Sequence, residues 1–208
     1  MDTLAERIRK GESQHQDFKY RIDDQRKIAR TLCAFANSEG GSLLIGVKDN
    51  GKVTGCNPQE EFHMIEGAAA VFCNPRVQFE SKIWQDDFRL VLEVHVPASD
   101  NKPHKAKDDQ DSWRSYVRVE DQTLVANKIT VGVWRERKRK TSRPIAFQDD
   151  QLDLLKIIET HNGVSLSKLY RLSHMPYKEV DRLLIQFICW DVVVQDQSKD
   201  GSVFFLQR

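Results

Sequence analysis

Residues 135–143 read Arg-Glu-Arg-Lys-Arg-Lys-Thr-Ser-Arg. Arg135, Arg137, Lys138, Arg139, Lys140 and Arg143 can each neutralise a phosphate, and every phosphate so neutralised releases counterions and makes affinity salt-dependent. The competing reading of the same run is a solvated linker between domains. A second arrangement is a carboxylate beside an ammonium. Asp17 and Lys19 are two apart, and period-2 alternation puts them on one face of a strand. They can stand beside a phosphate or remain a solvated ion pair without chemistry. Lys102, Lys105, Lys107, Arg114 and Arg118 would add to a basic surface if the polar stretch 97–112 folds beside it. Near the C-terminus, Tyr177, Lys178, Asp181, Arg182 and Gln186 are the non-apolar positions of one helical repeat, where they can reach bases or phosphates.

Other chemistry is poorly provided for. No G-x-x-x-x-G-K-[ST] occurs, so ATP binding and hydrolysis have no P-loop, and Gly40, Gly41 and Gly46 read as turn and packing glycines. His15, His63, His95, His104, His161 and His174 show neither metal spacing nor a nucleophilic partner. Cys33, Cys56, Cys73 and Cys189 are scattered without a C-x-x-C pair, which predicts reduced thiols, no zinc site and a cytoplasmic compartment. The N-terminus is charged and no apolar run can cross a bilayer, so neither a secretory signal nor a membrane is expected. Lys and Arg total 32 against 31 Asp and Glu, a net charge of +1, so total charge does not announce a polyanion binder; the placement of charge does.

The elements that must position these groups follow from periodicity. A short helix is predicted over 3–10, ended by Gly11, then a strand over 17–22 and a helix over 25–36 capped by Asp23 or Asp24. Ile28, Leu32 and Phe35 give that helix one apolar face. Asn37 to Gly41 stops it, residues 43–47 form a strand covered on both faces, and Asn50-Gly51 signals a hairpin to a second strand. A helix over 58–72, a hairpin of 77–84 with 88–96, a long polar loop over 97–112 and a strand over 113–119 follow, and 125–133 completes the domain. From residue 149 the pattern turns helical. Leu152, Leu155 and Ile158 form one stripe, Ser165 caps a second helix, and Pro176 opens a third that buries Val180, Leu183, Leu184 and Phe187. A hairpin closes around Lys199-Asp200-Gly201. Three helices and a hairpin in this order are similar to a winged helix-turn-helix domain.

Three pieces of sequence also resemble a known family. Residues 34–55, AFANSEGGSLLIGVKDNGKVTG, resemble the signature of the Schlafen AlbA-like domain, also called divergent AAA. Gly11-Glu12-Ser13 with Asp17-Phe18-Lys19 resembles its opening, and Tyr116-Val117-Arg118-Val119 a strand near its end. The resemblance implies an α+β fold, a mixed sheet with flanking helices. Some eukaryotic Schlafens use three carboxylates as a metal-dependent endoribonuclease site. Carried over by motif, Glu12 and Asp17 match the first two and Asp49 the third, with Lys48 where many relatives carry an acid. Three such groups on Mg²⁺ or Mn²⁺ can activate water and neutralise a phosphodiester, with Lys19 beside the scissile phosphate. The plain alternative is solvated charge on an exposed strand.

Taken together, residues 1–134 are expected as the Schlafen AlbA-like domain, 135–148 as a basic linker and 149–208 as a small winged helix. The leading functional expectation is a bacterial-type nucleic-acid-binding protein, a DNA-binding transcriptional regulator. It uses Arg135, Arg137, Lys138, Arg139, Lys140, Arg143, Arg118, Lys105, Lys178 and Arg182 on DNA or RNA. A regulator with two half-sites would ordinarily be a homodimer. The enzyme alternative is the Mg²⁺ or Mn²⁺ endoribonuclease acting on structured RNA through Glu12, Asp17 and Asp49. A non-catalytic interaction or oligomerisation module is the third reading.

Overall fold

Local signals at helix ends set the element boundaries. The computed structural model describes residues 3–139 and 149–207 and divides into two compact units, Met1–Ala126 and Asn127–Arg208. The first unit opens with α1 (Leu4–Lys10), where Thr3 and Glu6 form a capping box. Next come β1 (Gln16–Lys19) and α2 (Gln25–Asn37), capped by the Asp24 carboxylate, which accepts from the Arg26 and Lys27 N–H groups. β2 (Gly41–Ile45), α3 (Pro58–Val71) and β3 (Cys73–Asn74) follow. The hairpin of β4 (Glu80–Asp86) and β5 (Arg89–Val96) leads to β6 (Lys105–Lys107), β7 (Trp113–Val119) and β8 (Gln122–Val125).

These strands make two sheets. One has the order β1-β2-β5-β4, with β1 parallel to β2 and the other pairs antiparallel; the other is antiparallel with the order β3-β6-β7-β8. The result is the α+β fold with a mixed sheet and flanking helices. α2 packs against strands of both sheets. Burial therefore extends beyond the Ile28, Leu32 and Phe35 face to Ala29, Cys33, Ala34, Ala36 and Asn37, whereas a helix on a single sheet would keep a wet side. Asn37 tolerates burial because its amide is fully used. Its Nδ2 donates to the His104 and Tyr116 carbonyls at 2.8 and 2.9 Å, and its Oδ1 accepts from the His104 N–H at 2.7 Å. Gly40 and Gly41 serve packing. A Cβ on Gly40 (φ +81) would lie 2.9 Å from the Val96 carbonyl oxygen, and one on Gly41 would overlap the Phe35 ring.

Several expectations are corrected in this unit. The turn at Asn50-Gly51 forms, but its second arm makes only the isolated bridge Val47–Val53. The chain is pulled away there, because the Thr54 and Gly55 N–H groups both donate to the Gly46 carbonyl and the Cys56 N–H donates to Leu90. The first strand ends at Lys19, leaving Tyr20 51% exposed. The stretch 97–112 is not wholly a loop, since β6 pairs with β3 and β7. The four cysteines are free; Cys33 and Cys73 are buried, Cys56 and Cys189 half-buried.

The second unit begins with α4 (Lys128–Lys138), capped by Asn127, whose Oδ1 accepts from the Thr130 N–H at 2.9 Å. It continues with α5 (Asp149–His161), β9 (Val164–Ser165), α6 (Leu166–Leu172) capped by Ser165, α7 (Tyr177–Cys189) entered through Pro176, β10 (Val193–Ser198) and β11 (Gly201–Leu206). The three strands pair antiparallel in the order β10-β11-β9. Ile129 and Val133 of α4 lie in one core with Leu154, Ile158, Leu169, Val180, Leu183, Leu184, Phe187 and Phe204. That core moves the boundary. Residues 125–133 do not complete the first unit, and 135–138 are not linker but the last turn of α4, with Arg139 as its C-cap. The remainder of the expected linker, 140–148, lies outside the described residues. On α5 the fully buried positions are Leu154 and Ile158, while Leu152 is 42% exposed, because a 3.6-residue turn drifts off a strict spacing of three. Among the described residues no helix is long and apolar enough to cross a membrane.

Candidate functional site

The carboxylates near the N-terminus are drawn inward rather than presented to solvent. Glu12 follows Gly11 at the end of α1, and its Oε1 accepts from the Phe18 N–H at 2.9 Å. Asp17, on β1, is only 4% exposed. Its two oxygens face two cations: Oδ1 lies 3.1 Å from Arg118 Nη2, and Oδ2 lies 2.9 Å from Lys19 Nζ. Burial, then a hydrogen bond to Asp17, pushes the Glu12 carboxyl above its ordinary value. The alternative of solvated charge on an exposed strand is thus corrected for Asp17, because β7 brings Arg118 over it.

Asp49 does not join this pair. It is exposed on the turn after β2, and among the described residues no three His, Cys, Asp or Glu side chains group closely enough to hold a metal ion. Lys48 lies over the Tyr20 ring, 5.5 Å from its centroid. A divalent cation takes several free oxygen ligands, whereas both Asp17 oxygens are already engaged by cations, one of them buried. The residues present therefore do not fit Mg²⁺ or Mn²⁺, and the expected Glu12–Asp17–Asp49 centre is not assembled.

The basic residues separate into those the fold consumes and those it presents. Arg118 is consumed. Its guanidinium donates to the Ser13 and Gln16 carbonyls and the Thr123 hydroxyl, each at 3.3 Å, in addition to Asp17. At 4% exposure it cannot reach a phosphate, and its assignment as a nucleic-acid contact is corrected. It ties the segment before β1 to β7 instead. Lys105 sits half-buried on β6 in the first unit. Arg137 pairs with Asp191 at 3.6 Å. Lys140 and Arg143 lie outside the described residues.

Four of the expected cations converge in the second unit. Arg135 and Arg139 of the α4 end, with Lys178 and Arg182 of α7, line a groove of ≈ 390 Å³ shared with Glu136, Asp181, Ile185 and Gln186. The groove exists because α4 runs closely along α7. Gly132 allows the approach, since a Cβ there would overlap Ile185 Cδ1. Ion pairs pre-set its walls. Arg139 pairs with Glu136 at 3.1 Å. Arg182 donates to Gln186 at 2.9 Å and forks onto Glu179, whose carboxyl the guanidinium hydrogen bond holds below its ordinary value. These are surface pairs, each contributing about 0.2–1 kcal/mol, so an incoming phosphate can recruit the cations at little cost.

The α7 positions singled out from sequence differ in exposure. Tyr177, Lys178 and Arg182 are exposed, Lys178 and Arg182 at the groove, while Asp181 and Gln186, also in its lining, are half-buried. Asp181 is held by Lys128 at 2.6 Å and by the Tyr170 hydroxyl, and Tyr170 stacks on Tyr177 with 4.4 Å between ring centroids. The Asp181 hydrogen bond, foremost, lifts the Lys128 ammonium above its ordinary pKa, so it stays charged. Lys128 and Tyr170 were not singled out from sequence. Neither carries a local signal, because their partner Asp181 lies on a different helix from each.

Comparison with known proteins bears on the first unit above all. A family model described as Schlafen, AlbA_2 matches residues 12–127, ending where the first compact unit ends. Similar solved structures include the crystal structure of the DIP2311 protein from Corynebacterium diphtheriae, with 18% identity and a TM-score of 0.46 over 93% of this chain. The chain spans only 34% of DIP2311. Another is the solution structure of the N-terminal domain of a RecG-related protein from Nitrosomonas europaea, with 17% identity and a TM-score of 0.41 over 72% of this chain and 97% of that one.

Proposed function

The chain belongs to the Schlafen, AlbA_2 family, matched over residues 12–127, and we propose that it is a nucleic-acid-binding protein that grips the phosphate backbone through the groove between α4 and α7, in the unit beyond the family match. The observation that carries this reading is the convergence of Arg135, Arg139, Lys178 and Arg182 on one groove. Cations from two helices, distant in sequence, share one concave surface. Phosphate contacts of this kind position a protein on its target without reading sequence.

The finer reading is a DNA-binding transcriptional regulator. The order α5-α6-α7 followed by the β10–β11 hairpin supports a winged helix-turn-helix, in which α7 is the helix offered to the major groove. Tyr177, Lys178 and Arg182 on its exposed half are the side chains that would meet bases and backbone. A regulator of this kind reads two half-sites as a homodimer. Polarisation titrations of the full chain against duplex DNA, single-stranded DNA and RNA at several salt concentrations test the proposal. Binding that weakens steeply with salt is expected, with duplex DNA preferred. No binding at the lowest salt, or affinity indifferent to salt, overturns it.

A further inference from the structure

The β1-β2-β5-β4 sheet has an outer face, turned away from α2, that α1 covers only in part. Leu4 and Ile8 pack there with Phe18, Leu44 and Val91. Beyond them the same face turns polar. Lys82 lies opposite Glu93 in the β4–β5 register, and Trp84 opposite Val91. The face opens into a cleft of ≈ 610 Å³ whose lining includes Arg7, Lys10, Gln16, Lys82, Trp84 and Glu93.

The lining is organised around one carboxylate. Trp84 Nε1 donates to Glu93 Oε2 at 2.6 Å, while Arg7 pairs with Oε1. Arg7 Nε also donates to the Gln16 amide oxygen at 3.2 Å, and the Gln16 amide returns bonds to the Arg7 and Gly11 carbonyls at 2.7 and 2.8 Å. Burial pushes the Glu93 carboxyl up, but the Trp84 donor, the Arg7 cation and Ser42 together hold it below its ordinary value. Glu93 thus stays ionised and fixes the indole by its edge. The face of that indole carries the Lys82 ammonium, 3.4 Å from the ring centroid. Arg7, Lys10 and Lys82 line the cleft beside one carboxylate, Glu93, which Arg7 and Trp84 already engage.

We propose that this cleft binds a nucleobase joined to a phosphate, with the base stacked on Trp84 and the phosphate held by Lys10 and Lys82. Stacking on an aromatic platform accepts any base, because every base has a π-face. Lys82 is an exposed, flexible side chain. It can leave the ring for the phosphate, so one cation–π contact is exchanged for a stack and an ion pair. A bare anion would use the cations and have no need of the ring. The ligand is a free nucleotide or an unpaired segment of a strand, which present the same chemistry. The residues of this cleft belong to the first compact unit and those of the α4–α7 groove to the second.

Tryptophan emission of the full chain, titrated with AMP, with a short single-stranded oligoadenylate and with inorganic phosphate, tests the assignment. The oligonucleotide or AMP should quench the wild type. The quench should vanish in Trp84→Phe, which keeps a ring in the packing, and should need about tenfold more ligand in Lys10→Glu/Lys82→Glu as phosphate contacts are lost. Quenching by AMP assigns a free nucleotide; quenching by the oligonucleotide alone assigns a strand segment. In the AMP arm an Arg135→Glu/Arg139→Glu variant should quench like the wild type, because AMP brings no strand backbone to the groove. No emission change with any ligand, a quench that persists in Trp84→Phe, or equal affinity of the wild type and the double Lys variant overturns the proposal. So does phosphate binding as tightly as AMP.

Discussion

Replacing Arg135 and Arg139 together by Ala should flatten the salt dependence of duplex binding while leaving the fold intact. Four cations line the groove. If each neutralises one phosphate, the slope of log affinity against log salt is about −3.6, from about −0.9 per phosphate. Raising salt fourfold, from about 50 to about 200 mM, then weakens the wild type about 150-fold. With two cations left the slope is about −1.8, and the same change costs only about 12-fold. The structural cost of the substitution is small. Arg139 is exposed, and its pair with Glu136 is a surface pair worth about 0.2–1 kcal/mol. Polarisation titrations at five or so salt concentrations, with melting curves beside them, read both quantities. Arg137→Ala is the control, since Arg137 lies outside the groove lining and pairs with Asp191; its slope should match the wild type. A double variant that keeps the wild-type slope, or an Arg137 variant that loses as much, refutes the groove as the phosphate site.

Arg118→Ala should destabilise the first unit by about 3 kcal/mol, the low end for breaking a buried pair, because it leaves the buried Asp17 carboxylate with the part-exposed Lys19 as its cation; urea unfolding reads this, and a loss under about 1 kcal/mol would return Arg118 to the surface. Gly41→Ala should cost about 1–3 kcal/mol by driving a methyl into the buried Phe35 ring, and equal melting temperatures would contradict that packing. The Glu12 carboxyl is raised in the folded state, so its contribution is fully present below its unfolded pKa and is lost as pH rises through the folded value. Glu12→Gln, which keeps a hydrogen bond to Asp17 without the charge, should therefore be more stable than the wild type at neutral pH and lose that advantage at acid pH; melting curves showing the opposite trend would reverse the assignment. Cys33 should resist alkylation until unfolding, since its contact with the Cys73 thiol and its burial both push its pKa up; rapid labelling of the native chain would contradict this.

Wherever backbone conformation follows from neighbours in the chain, the sequence decided the outcome. The Thr3, Asp24, Ser165 and Pro176 starts, the 113–119 strand and the buried face of α7 are local matters of capping and period. The family was legible for the same reason, because its signature is a contiguous helix, glycine pair and strand. The candidate cations at Arg135, Arg139, Lys178 and Arg182 were visible as residue types, but that they share one groove was not. Their meeting depends on Gly132 letting α4 lie along α7, a contact between residues far apart in the chain. Asp17 and Arg118 show the same limit from the other side. Alternation makes both look like outward charges, yet tertiary packing sets them against each other and buries the pair, so neither is available for the surface chemistry their types suggest. Period and capping act within a few residues, whereas burial and charge pairing are decided by whichever distant segment arrives, and only the folded chain specifies that.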